Sequence, residues 1–266
     1  MPKKKIKKTL EELIHLPERS VPNWFILGID PSLSRTGFAT ANYKDGQFGW
    51  QSIGSIKPDS SQYPVWVRSK MMAVRLAQMI LREEVGLLED NKGILVCMEQ
   101  PTPGNDWLNV LNKVIQAELF SVMPMTVPVY LLHVNAATLR SNFELKRTGN
   151  NKDENIRKSH EFASAHLFPG IDSDSCDAIL LARYAGFVAE LLATGDKTNI
   201  PERILLSLCD YSDVVKGKGT RERIVKKGLL HNPVYWSAYQ KTQYSMSIKD
   251  ARIPSKRRLL KQTMVL

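Results

Sequence analysis

Apolar residues fall along this chain in short runs that end on an acid or a proline. Trp24-Phe-Ile-Leu-Gly-Ile-Asp30 is one such run, with Pro31 just beyond it, and it predicts a buried strand ending at Asp30. Thr36 to Tyr43 and Gln47 to Ile56 predict two more strands, joined at Lys44-Asp-Gly46 by a D-G hairpin turn. Val65, Trp66, Ala73, Leu76 and Ile80 recur at helical spacing and predict an amphipathic helix to about Glu84. Ile94-Leu-Val-Cys-Met-Glu99 is a further buried strand, stopped by Pro101. Asn105 or Asp106 caps the helix that follows, with Leu108, Leu111, Ile115 and Leu119 on one face. Thr126 to His133 is another apolar strand. The polar, basic turn KRTGNNK then precedes a helix to about Phe168. A last core helix starts near Asp174 and runs to about Thr194, presenting Ala178, Ala182, Ala185, Gly186 and Ala189 for close packing on a sheet. Antiparallel strands followed by strand–helix–strand–helix give an α/β fold, a mixed sheet with helices on its faces.

Charge adds a second layer to this picture. The net charge is +10 over 266 residues, but it is concentrated at the two ends. Residues 1–8 hold five lysines and no acid, and residues 211–266 hold 13 Lys/Arg against 3 Asp/Glu, whereas the residues between carry a net of −5. Cationic arms on a mildly acidic body suit a polyanionic partner, because neutralising phosphates releases counterions. Tyr211, Tyr235, Trp236, Tyr239 and Tyr244 in the basic C-terminal stretch are available to stack on bases, or are the aromatics of a solvated tail. MPKKKIKK reads as a phosphate-touching or solvated arm, with a short nuclear import signal as the alternative. It has no apolar segment of the secretory kind, and no run of 18 apolar residues predicts a membrane span. Three cysteines without C-x-x-C spacing argue against a disulfide framework or a structural zinc site.

The acids carry the candidate chemistry. Asp30 ends one buried strand and Glu99 another; if the two are parallel neighbours, both carboxylates emerge at one sheet edge within reach of a shared cation. That edge is also where open α/β sheets place their ligands. Asp172-Ser-Asp174-Ser-Cys-Asp177 opens the last core helix, and Asp174 and Asp177, three apart, project on one side of its first turn. Taken singly, Asp30 reads as a turn former, Glu99 as a solvated edge residue, and Asp172 or Asp174 as an N-cap. Together they favour a metal site of hard oxygen ligands, suited to Mg2+ or Mn2+.

Three segments resemble a known family. Gly28-Ile-Asp30-Pro-Ser-Leu-Ser-Arg-Thr36-Gly37 resembles the first strand and hairpin of RuvC-type Holliday-junction resolvases, and its D-P-S-L form is most similar to divergent, bacteriophage-like members. Met98-Glu99-Gln100 resembles their second acidic strand, and Asp174-Ser-Cys-Asp177-Ala178 the opening of their last helix. Order and separation match over roughly residues 24–190. The resemblance implies an RNase H-like mixed five-stranded sheet flanked by helices, a homodimer, and Mg2+-dependent paired nicking of a four-way DNA junction, with Mn2+ able to substitute. It implies Asp30, Glu99, Asp174 and Asp177 as catalytic metal ligands for two ions that activate a water and stabilise the departing 3′-oxygen. It also implies basic residues reaching the scissile phosphate, for which Lys146, Arg147 and Lys152 are the candidates.

The sequence departs from that pattern in places. Ser32 stands where glycine is common, and Pro-Thr-Pro-Gly follows Gln100 without the aromatic that bacterial relatives carry; Trp107 is expected in the core, with standing in for that aromatic as the alternative. The organisation expected is a basic arm over residues 1–20, a nuclease domain over 21–198 and a basic extension over 199–266. The function expected is resolution of four-way junctions in DNA recombination and repair. The alternatives are another RNase H-fold nuclease acting on hybrids, flaps or branched intermediates, or a non-catalytic nucleic-acid-binding protein. No membrane partner and no small-molecule cofactor are expected. The expected location is the cytoplasm of a bacterial or phage-infected cell, or the nucleus if the lysine-rich start is an import signal.

Overall fold

The central strand of the large sheet, β1 (Asn23–Asp30), is apolar from Trp24 to Ile29 because both of its faces are covered there. The computed structural model describes residues 21–59, 61–89, 92–101, 104–123, 127–145, 152–163, 171–208, 211–216 and 221–226. After β1 come β2 (Thr36–Lys44), β3 (Gln47–Ile56), α1 (Val65–Glu89), β4 (Lys92–Glu99) and α2 (Asp106–Val122). Then follow β5 (Val129–Val134), α3 (Ala136–Asn142), α4 (Lys152–Ala163), α5 (Ser173–Thr194), α6 (Glu202–Leu208), β6 (Tyr211–Lys216) and β7 (Arg221–Lys226). Strands β1–β5 form one mixed five-stranded sheet in the order β3-β2-β1-β4-β5, while β6 and β7 pair antiparallel in a separate two-stranded sheet.

The antiparallel half of the large sheet is set by its turn. Asp45 and Gly46 both have positive φ, 52° and 78°, as a two-residue hairpin turn requires, and so fix the β2–β3 register Lys44↔Gln47. The parallel half is made by helical crossovers: β1 pairs with β4 and β4 with β5, both parallel.

Period-two alternation divides the core into two layers. Phe25, Leu27 and Ile29 pack under α1 and α2 with Met72, Leu76, Ile80, Leu111, Ile115 and Leu119. Trp24 and Ile26 face the opposite way, toward α5. The small residues of α5 are fully buried there, as their pattern predicts. Gly28 shows how close this packing is: a Cβ at that position would stand 2.3 Å from the Ala178 carbonyl oxygen and 2.5 Å from the Ala182 nitrogen. Only a residue without a side chain lets the start of α5 lie directly on β1.

Several expectations shift. Trp107 is 60% exposed and Trp66 68% exposed, so neither is core; the buried side of α1 is Met72, Ala73, Leu76, Ala77 and Ile80. Helix α1 runs five residues past Glu84, to Glu89, and α3 and α6 appear where no helix was predicted. Ile200, Ile204, Leu205 and Leu208 belong to the same core layer as α5, so that layer continues past residue 198. Among the described residues no helix is long and apolar enough to cross a membrane.

A carboxylate cluster at one edge of the sheet

The parallel register sets the site. The last β1–β4 pair is Ile29↔Met98, so Asp30 and Glu99 are the next residues on two adjacent strands, side by side at one edge. Adjacent strands lie about 4.8 Å apart. Alternation also decides which way they point. Gly28 abuts α5 and Cys97 lies in the layer packed against α5, so Asp30 and Glu99, each two residues on, project toward that helix. Helix α5 brings Asp177 to the same place, next to the Ala178 that contacts Gly28.

Burial and proximity make this cluster electrostatically tense. Glu99 is mostly buried, and burial together with the neighbouring Asp177 carboxylate raises its pKa to about 7, against the opposing pull of Arg140. Burial also raises Asp177 above the ordinary carboxylate range, again opposed by Arg140. Arg140 is the last-turn basic residue of α3, and its Nη2 stands 3.6 Å from Asp177 Oδ2, an ion pair too long for a good hydrogen bond. Asp177 Oδ1 is buried and finds no hydrogen-bond partner. An ionised buried carboxylate normally secures partners for both oxygens, so this atom marks a position where a donor or a cation belongs.

Asp172 has a different environment. It is the N-cap of α5, accepting from the Ser175 backbone N–H at 2.9 Å, and its second oxygen accepts from Arg35 at 2.9 Å and Ser55 at 2.8 Å. Although its partial burial acts to raise the pKa, these hydrogen bonds outweigh it and hold the carboxyl below its ordinary range. Asp172 is thus an ionised structural group, which answers the N-cap question in its favour over Asp174.

The other candidates fall differently. Asp174 lies in the first turn of α5, but its side chain is outside the described residues, as is that of Lys152, the first residue of α4. Lys146 and Arg147 lie outside them altogether. Among the described residues no three His, Cys, Asp or Glu side chains are grouped tightly enough to hold a metal ion. His133 pairs in register with Met98 but shares its face with α2, where its ring meets Gln116 at 3.3 Å. The donor set at this edge is therefore carboxylate oxygen. Carboxylate oxygens are the donor type that a hard divalent cation takes, and the unpartnered Asp177 oxygen and the raised Glu99 are the groups such an ion would compensate.

Arg140 escaped the sequence reading. Seven residues of helix show too little periodicity to be recognised, and the one available signal was a basic residue shortly after an apolar strand.

No protein-family model and no curated protein sequence matches the chain. Solved structures similar to it include Thermus thermophilus RuvC, with 14% identity and a TM-score of 0.44, covering 62% of this chain and 93% of that one. A Fowlpox virus resolvase in complex with Holliday-junction DNA gives 13% identity and a TM-score of 0.37, with 62% and 98% covered. The Mn-soaked human cytomegalovirus terminase nuclease domain gives 13% and 0.38, with 60% and 81% covered.

Proposed function

We propose that this protein is a divalent-metal-dependent DNA endonuclease that resolves four-way junctions by paired nicks, acting as a homodimer. The observation that carries the reading is the mostly buried Glu99–Asp177 pair, two carboxylates at one sheet edge with a buried, unpartnered Asp177 oxygen. Such a pair is costly to ionise unless a cation compensates it, and a divalent ion is the natural compensation at neutral pH.

Asp30, Glu99, Asp174 and Asp177 would hold the metal. When bound, it would supply Lewis-acid polarisation of a phosphoryl oxygen and a water of lowered pKa. The chain's own residues do the rest. Glu99 must release its proton before it can act as a ligand; without a cation, burial and Asp177 hold that proton to about pH 7. Arg140 pairs with Asp177, and its guanidinium would turn to a phosphate once a cation compensates that carboxylate. The close contact of Gly28 with α5 keeps the strand carboxylates and the helix carboxylate in one rigid unit. Basic arms at both ends of the chain supply further phosphate contacts. The exposed Trp107 and Val110 on α2 form the surface on which two copies would pair.

The test is cleavage of end-labelled DNA in Mg2+ or Mn2+, comparing a four-way junction, a flap, a linear duplex and an RNA–DNA hybrid. Symmetric paired nicks in the junction, abolished by Asp30→Asn while binding persists, are the expected result. Cutting of the hybrid or flap alone would overturn the junction reading, and normal cutting by Asp30→Asn would overturn the site.

A further inference from the structure

Asp172 does more than an N-cap needs. One oxygen satisfies the helix: Oδ1 accepts from the Ser175 backbone N–H at 2.9 Å and from the Ser175 hydroxyl at 2.8 Å. The other, Oδ2, takes Arg35 Nη1 at 2.9 Å from the β1–β2 turn and Ser55 Oγ at 2.8 Å from β3. These last two bonds contribute nothing to α5 as a helix. They tie its first turn to the β1–β2 turn and to β3.

The turn they reach is itself fixed from other directions. Thr36 Oγ1 donates to the Ser32 carbonyl at 2.9 Å, closing the turn on itself, and Arg68 from α1 donates to the Leu33 carbonyl at 3.1 Å. This turn begins at the residue after Asp30. The helix start it is tied to carries Asp174 and Asp177. Carboxylates contributed by a strand and by a helix can share an ion only if those two elements keep one separation, and the Arg35–Asp172 bridge spans that gap.

Building on the metal-dependent reading above, we infer that Asp172 and Arg35 are positioning residues that hold the α5 carboxylates in register with Asp30, and that neither touches the metal. An acid so close to the site would otherwise be counted among the ligands. Its two oxygens are instead both committed to protein donors.

The variants are Asp172→Asn, which keeps an N-capping oxygen and removes the charge, Arg35→Ala, Arg35→Lys, the Asp172→Asn/Arg35→Ala double variant, and Ser55→Ala as the mildest change. Each full-length protein is melted without metal and titrated with Mn2+, following both the rise in melting temperature and single-turnover junction cleavage. Arg35→Ala and Asp172→Asn should each raise the half-saturating Mn2+ concentration roughly tenfold, the magnitude typical of groups that orient metal ligands. The double variant should be no worse than either single one, because the two residues act through one bridge. Arg35→Lys should restore part of the loss, and Ser55→Ala should show a smaller shift in the same direction.

Lower melting temperatures with an unchanged Mn2+ dependence would overturn the inference and leave Asp172 as a cap alone. Loss of one bound Mn2+ per chain in Asp172→Asn but not in Arg35→Ala, counted by calorimetric titration, would overturn it the other way, making Asp172 a ligand. Wild-type protein that neither binds Mn2+ nor cleaves would bring down the metal reading itself, and the inference with it.

Discussion

Replacing Glu99 with glutamine should make the metal-free protein more stable at pH 8, although it removes a residue we place in the active site. Glu99 is displaced from an ordinary 4.5 to about 7 by burial and by Asp177. In the unfolded chain it loses its proton near 4.5; in the folded chain it keeps it to about 7. Between those values the folded state binds more protons, so stability falls as pH rises from about 4.5 to about 7 and stays low above that window. At 1.36 kcal/mol per pKa unit the penalty is about 3 kcal/mol, an upper value for a group that retains some solvent contact. Glutamine carries no charge to bury. At pH 8 in chelator, Glu99→Gln should therefore melt roughly 5–10 °C above wild type for a domain of this size, and at pH 4 the two should nearly coincide. Calorimetry at the two pH values reads this directly. Adding Mn2+ at pH 8 should recover the lost stability in wild type and do much less for the variant. A variant that is destabilised at pH 8, and less so at pH 4, would show that Glu99 is ionised and well satisfied, and the argument from a strained carboxylate pair would fail.

Three further outcomes follow from the geometry. Gly28→Ala places a methyl carbon 2.3 Å from the α5 backbone, so it should destabilise the fold by about 2–3 kcal/mol and weaken Mn2+ binding together, as denaturant melts and a Mn2+ titration would show. Arg140→Ala leaves the buried Asp177 without its ion pair; it should lower metal-free stability at pH 8 by roughly 1–3 kcal/mol, increase the stabilisation gained from Mn2+, and reduce cleavage. Trp107→Ser alters a residue that is 60% exposed, so monomer stability should hardly change, whereas sedimentation should show weaker self-association if α2 is the pairing surface.

The elements and the order of the acids are written along the chain. The apolar runs 24–29 and 94–98, the D-G turn at Asp45-Gly46 and the small-residue side of α5 each encode their conformation within a few residues, because dihedral preference and alternation are local. An acid at the end of each of two such strands was enough to place Asp30 and Glu99 at one edge once the strands proved parallel neighbours. What the acids experience there comes from how the folded chain packs around them. The pKa of Glu99 depends on how deeply α5 covers it. Asp177 meets Arg140 from a helix too short to announce itself. Asp172 finds Arg35 at a separation of 137 residues and Ser55 at 117, distances over which no periodicity carries information. The same holds for Trp66, which lies two turns before the buried Ala73 on α1 yet is exposed in that helix's first turn, and for Trp107, exposed in the first turn of α2. Conformation is set by neighbours along the chain, whereas charge energetics and exposure are set by neighbours in space, and only the closed fold supplies those.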